Sequence, residues 1–233
     1  MTTIIDSFSF LSATLMAIMN SLPPLILREI FEHLSHDFPV GRCTLRSLLR
    51  INRDWRDIAI PVFWQRPFDR YPDCSIVNTL TLHLNEEERR LISLLLPPNL
   101  DFKISYARHL RELDFDTLCR SIDLWLVKTK HIWRRRLSCE EADGRVASFQ
   151  SLLEVKQQIV YSFLKMFVRH GVRLRMLLCD FRGVGLTEDD FQLMFKPDVQ
   201  TLASTICEVR IAGSTNMGKL FDGLTNTARD LVG

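Results

Sequence analysis

The chain has 233 residues, 46% of them apolar and 25% charged, with a formal net charge of +2 at pH 7. A chain this long holds one large domain or a small module and a second domain, and its balance excludes disorder throughout. Near-neutral charge excludes a general pull toward nucleic acid or an anionic membrane.

Residues 1–20 read as an N-terminal extension. The apolar run Phe8 to Met19 follows Asp6 with no basic flank and falls short of about twenty apolar residues, so neither a secretory signal nor a membrane span fits. Met16 or Met19 is the expected natural start.

From Ser21 the pattern becomes helical. Ser21 can cap, and Pro23 and Pro24 suit a first turn, where a missing N–H costs nothing. Leu22, Ile26, Leu27, Ile30, Phe31 and Leu34 then form one apolar stripe at helical spacing, with Arg28, Glu29, Glu32 and His33 opposite. Phe38-Pro39-Val40-Gly41 breaks the helix. A second helix is expected from a Thr44 cap through Leu45, Leu48, Leu49 and Ile51. A third starts near Asn52, carries Trp55, Ile58 and Ala59, and ends or restarts at Pro61 before Phe63 and Trp64. Three helices in about 45 residues bury little surface by themselves, so a partner is expected to cover part of the stripe.

Leu22-Pro23, Ile30-Phe31-x-x-Leu34, Leu48-Leu49-x-x-Asn52-x-x-Trp55 and Trp64 together resemble the F-box over residues 21–69. One departure is Leu25, where that family usually has an acidic residue; a helix-start interaction of about 0.3–1 kcal/mol is then missing. The resemblance implies docking on a Skp-type adaptor and, through it, on a cullin-RING ubiquitin ligase. It implies Leu22, Pro23, Ile26, Leu27, Ile30, Phe31, Leu34, Leu49, Trp55 and Trp64 as adaptor-binding residues. The chain would be a non-catalytic receptor for an unknown protein substrate, cytoplasmic or nuclear, with no cofactor, metal or membrane partner.

Residues 70–100 read as a linker and a helix. Asn85 caps a first turn of Glu86, Glu87 and Glu88, and this helix is expected to reach Leu96 before Pro97-Pro98. In 101–233 three short cores recur: Leu110-x-x-Leu113-x-Phe115, a run from Val172 to Phe181, and Leu202 to Ile211. They are similar to the strand units of leucine-rich repeats, although separated by about 62 and about 35 residues instead of one period of about 20–29. Ser151 to Val168 is an amphipathic helix, and Leu220 to Leu231 would back the last unit. The end at Gly233, with no polar capping unit, is expected of an incomplete chain. The fold class is therefore mainly α with an α/β repeat: a three-helix module followed by a short, irregular, leucine-rich-repeat-like solenoid.

Other features read as bland. His33 with His36, and His83 with Glu86 to Glu88, lack a full ligand set and read as surface groups. Gly183-Val-Gly185 lacks the rest of a nucleotide fingerprint. The basic run Lys128 to Arg136 reads as the wet face of a helix; binding nucleic acid through it, with Trp133 stacking, is one alternative function, and an interaction protein outside any ligase is the other. Six dispersed cysteines read as reduced, mostly buried thiols.

Overall fold

A computed structural model describes residues 21–37, 40–69, 71–90, 106–141, 152–182 and 185–213. The protein is mostly helical, with one small three-stranded parallel sheet. It divides after Trp64 into two compact units.

In the smaller unit, α1 spans Pro24–His36, α2 Val40–Leu48 and α3 Arg53–Gln65. Pro23 holds the N-cap position, so Ser21 does not cap this helix, and Pro24 supplies a first turn that lacks no needed donor. The second helix starts four residues before its expected Thr44 cap. Thr44 lies inside it and its hydroxyl donates to the Val40 carbonyl at 2.9 Å. Gly41 is buried, and a Cβ there would collide with the Leu34 carbonyl. The glycine that reads as a breaker instead lets α2 approach the end of α1. Leu49 and Ile51 lie in the turn after α2. The Asn52 side chain accepts from the Trp55 N–H at 2.8 Å and starts α3. Pro61 does not end that helix. The carbonyl its ring leaves without a donor belongs to Asp57, whose residue is exposed, so water can take that bond.

The larger unit begins at Gln65, so residues 65–69 of the expected module belong to it. It opens with α4, Cys74–Thr81, in the stretch expected as a linker. Ile76, Val77 and Leu80 are buried, and α4 packs on α6, Phe115–Glu141. Asp73 caps α4 by accepting from the Ser75 N–H, while its own N–H donates to Ser121 Oγ on α6. Helix α5 is Glu86–Arg90; its expected continuation to Leu96 lies outside the described residues. Its start is a reciprocal box in which the Glu88 N–H donates to Asn85 Oδ1 and the Asn85 N–H to Glu88 Oε2, both at 2.8 Å.

The amphipathic stretch forms α7, Leu152–Arg169, which packs on α6 and α5. The remaining elements are short: α8 Glu188–Gln192, a 3-10 turn Leu193–Phe195 and α9 Gln200–Ala203. The expected Leu220 to Leu231 helix lies outside the described residues.

The strands are β1 Glu112–Asp114, β2 Met176–Asp180 and β3 Glu208–Ala212, parallel and in chain order. Leu113 pairs with Leu177 and Leu177 with Val209, an interval of 64 residues (113 to 177) and then 32 (177 to 209). Backbone bonds carry the pairing back from the strands, from the Arg175 N–H to the Arg111 carbonyl and from the Cys207 N–H to the Arg175 carbonyl, and Cys179 pairs with Ile211. Leu110, Leu113, Phe115, Leu174, Leu177 and Cys179 are buried. The three cores are thus neighbours in register, and the long interval holds α6 and α7.

Charged groups are also buried in this unit. Glu88 accepts two bonds of 2.9 Å from the Arg169 guanidinium, which also donates to the His83 carbonyl at 2.7 Å. Lys156 donates to the Gly185 carbonyl and lies 3.4 Å from buried Asp190 and 3.3 Å from Asp123. Asp190 also closes a capping box with Thr187 at the start of α8. Such pairs are costly to break from one side, because a buried charge is left alone.

Candidate docking surface

Helix α1 carries two apolar lines, not one stripe. Leu27 and Phe31 are buried, and Leu34 is half-buried beside them at i, i+4, i+7 spacing. The Phe31 ring meets Trp55 of α3 at 5.9 Å between centroids, which ties the helices together. The second line runs through Leu22, Ile26 and Ile30 at i, i+4, i+8. Leu22 and Ile30 are half-exposed, and Ile26 is 40% exposed. Pro23 and Pro24 are exposed beside it.

Of the ten residues expected to bind an adaptor, Leu27, Phe31, Trp55 and Trp64 are buried. A partner could reach them only by opening the fold, so their contribution is to packing. Leu22, Pro23, Ile26, Ile30, Leu34 and Leu49 keep accessible surface. Among the described residues of the smaller unit, three exposed large apolar side chains fall outside the expected set: Leu25 at 67%, Val40 at 66% and Ile51 at 38%. Leu25 adjoins Ile26 on α1 and enlarges the apolar face where a carboxylate would interrupt it. Helical periodicity could have found it, because it sits on the same side as Leu22 and Ile26.

Around these residues the smaller unit is charged. Arg42 and Arg46 of α2 lie over the Phe63 ring at 5.0 and 5.6 Å, and Arg28 pairs with Glu32 at 2.8 Å. His33 is exposed, its Nδ1 donating to the Glu29 carbonyl at 2.9 Å.

His83 departs from the expected surface role. It is buried, its ring meets Tyr106 edge-on at 5.4 Å, and burial, then His170 and Arg169, push it down to about 4. It stays neutral at physiological pH. Cys119 and Cys179 are buried and pushed up by burial, whereas Cys43 and Cys207 are exposed, so the thiols are not mostly buried among the described residues. Lys128 of α6 donates to Cys74 Sγ at 3.1 Å; the side chains from Lys130 to Arg136, Trp133 included, lie outside the described residues. Gly185 packs against Arg120 and Asp116.

Among the described residues no group of three His, Cys, Asp or Glu side chains is arranged to hold a metal ion, and no helix is long and apolar enough to cross a membrane. No protein-family model matches the chain, and neither does any curated protein or solved structure.

Proposed function

We propose that the protein is a non-catalytic substrate receptor of a Skp–cullin–F-box ubiquitin ligase. One observation carries the reading: the ordered run from Leu22-Pro23 through Ile30-Phe31, Leu48-Leu49, Asn52 and Trp55 to Trp64 follows three consecutive short helices and the residues that flank them, with an exposed apolar line on the first. A unit this small that leaves Leu25, Ile26, Val40 and Ile51 outside is suited to having a partner cover them. Each large apolar side chain so covered contributes about 1.5–3 kcal/mol before association costs.

The larger unit is read as a short, interrupted leucine-rich-repeat-like array that holds a protein substrate. The common register of the Leu113, Leu177 and Val209 cores supports it. The receptor performs no chemistry; holding the substrate near the ligase raises the rate by proximity. The compartments that follow are cytoplasm and nucleus, where exposed thiols such as Cys43 and Cys207 stay reduced.

Co-purification tests the reading. The full chain is expected to bring down a Skp-type adaptor together with a cullin. A folded chain that binds neither at native expression rules it out.

A further inference from the structure

The two ends of the parallel sheet carry opposite charges. At the carboxyl end the acids are satisfied within the fold. Asp114 accepts from the Thr117 N–H and hydroxyl, Asp116 pairs with Arg120 at 2.8 Å, and Asp180 with Arg182 at 2.6 Å. At the amino end stand Arg108, Arg111, Arg173 and Arg175. The carboxylates nearest along the strands are engaged elsewhere, Glu112 with Arg66 at 2.7 Å and Glu208 with Arg210 at 2.6 Å. None of the four arginines has a carboxylate partner among the described residues. Arg108 donates to His109 Nε2, and Arg111 to the Arg108 and Leu110 carbonyls.

Backbone geometry brings these arginines together. The Arg175 N–H donates to the Arg111 carbonyl at 2.7 Å, so the two residues stand side by side on adjoining segments. Val172 and Leu174 are buried while Arg173 and Arg175 are exposed, an alternation that turns both arginines to the same outer side. The local field is positive: His109, half-buried here, is pushed down by burial and then by Arg108 and Arg111.

We propose that this end of the sheet docks an extended acidic segment of a partner protein, with carboxylates at alternate positions. The spacing argues for that partner. Arg173 and Arg175 are exposed on either side of buried Leu174, the two-residue period at which alternate side chains of an extended peptide also recur. The four charges come from two segments, Arg108 and Arg111 on one and Arg173 and Arg175 on the other, and four cations match several single carboxylates better than one dianion. Arginine forks bind carboxylates with two parallel bonds, and exposed arginines are accessible for it. The inference stands on the larger unit alone and does not rest on the adaptor reading.

Fluorescence anisotropy of the full chain tests it. The probes are a labelled dodecapeptide of alternating Glu and Ser, its Gln counterpart, the Gln peptide carrying one phosphoserine, and an oligouridylate of matched charge. The Glu peptide is expected to bind saturably and to weaken with salt. Arg173→Glu with Arg175→Glu is expected to cost about tenfold or more in affinity. Arg53→Glu with Arg56→Glu, exposed in the other unit, is expected to change it by less than about twofold. The milder Arg173→Gln with Arg175→Gln pair is measured alongside and must also lose affinity, so that misfolding cannot imitate the result. No binding of the Glu peptide, equal binding of its Gln counterpart, or equal loss in the Arg53 and Arg56 pair overturns the proposal. Tighter binding of the phosphopeptide or of the oligouridylate also overturns it, in favour of a phosphate or a nucleic-acid partner.

Discussion

In the smaller unit no described charged residue is buried, and four large apolar side chains, Leu25, Ile26, Val40 and Ile51, are exposed among the charged ones. In the larger unit Glu88, Asp116, Lys156 and Asp190 are buried among aliphatic and aromatic side chains. The first arrangement leaves association free energy unused within the chain. The second uses charge-assisted bonds to fix which element lies against which: α5 on α7 through Glu88 and Arg169, and the α8 segment on α7 through Lys156 and Asp190. One unit keeps apolar surface exposed, and the other fixes its packing with buried charge.

The largest expected effect comes from the few buried aromatic side chains of the small unit. Trp55→Ala leaves a cavity against Phe31 and should cost about 3–5 kcal/mol. A unit this size has little more than that in reserve, so circular dichroism in urea should show it unfolding first. If Trp55→Ala shifts the midpoint no further than a surface substitution, the aromatic pair does not hold this unit together.

The buried pairs of the larger unit come next. Glu88→Gln removes the charge that Arg169 faces and should destabilise by about 3 kcal/mol, whereas Glu32→Gln on exposed α1 should stay within about 0.5 kcal/mol. Equal shifts in the two denaturation midpoints would remove the contrast between the units.

Much of this contrast was legible before the fold, but unevenly. The Asn85-x-x-Glu88 box can be read from spacing, since a cap side chain and its N3 carboxylate signal each other locally. That Glu88 also meets Arg169, some 80 residues on, cannot be read, and Glu88 looks like one more acid on a wet face. Periodicity found the apolar stripe of α1. It did not separate Leu27 and Phe31, which are packed, from Ile26 and Leu25, which are not, because adjacent lines on one helix share a period. The strand cores were visible as patterns, yet the partnership of Leu113 with Leu177 depends on α6 and α7 folding back between them. Gly41 and Pro61 read as breakers because a close helix approach and a solvated carbonyl are tertiary facts.

His83 gives a smaller effect, and its sign follows from linkage. Its folded value, about 4, lies below the ordinary 6.5, so the unfolded chain binds the proton more tightly. Stability is complete above about pH 6.5 and is lost as pH falls from there toward 4, by about 2 kcal/mol at pH 5. His83→Gln should flatten that part of a plot of urea midpoint against pH. An unchanged slope in the variant would assign the acid sensitivity to other groups, His170 first among them, because burial lowers it as well.

The smallest expected effect on folding is the most informative about the exposed line. Leu25→Glu with Ile26→Glu changes two side chains that are 67% and 40% exposed, so stability should move by no more than about 0.5 kcal/mol each. An acid in the first turn of α1 even meets the favourable end of the helix dipole. Adaptor binding should nevertheless fall below detection in a pulldown, because two carboxylates would have to be desolvated in an apolar contact. Leu27→Ala, by contrast, should weaken binding only as far as it unfolds the unit, since Leu27 is buried. If the double glutamate variant keeps its thermal midpoint and still brings down the adaptor, the Leu25 and Ile26 face is not where that partner sits. The apolar surface of the small unit would then serve another occupant, and the remaining candidates are Val40 and Ile51 at the two ends of α2.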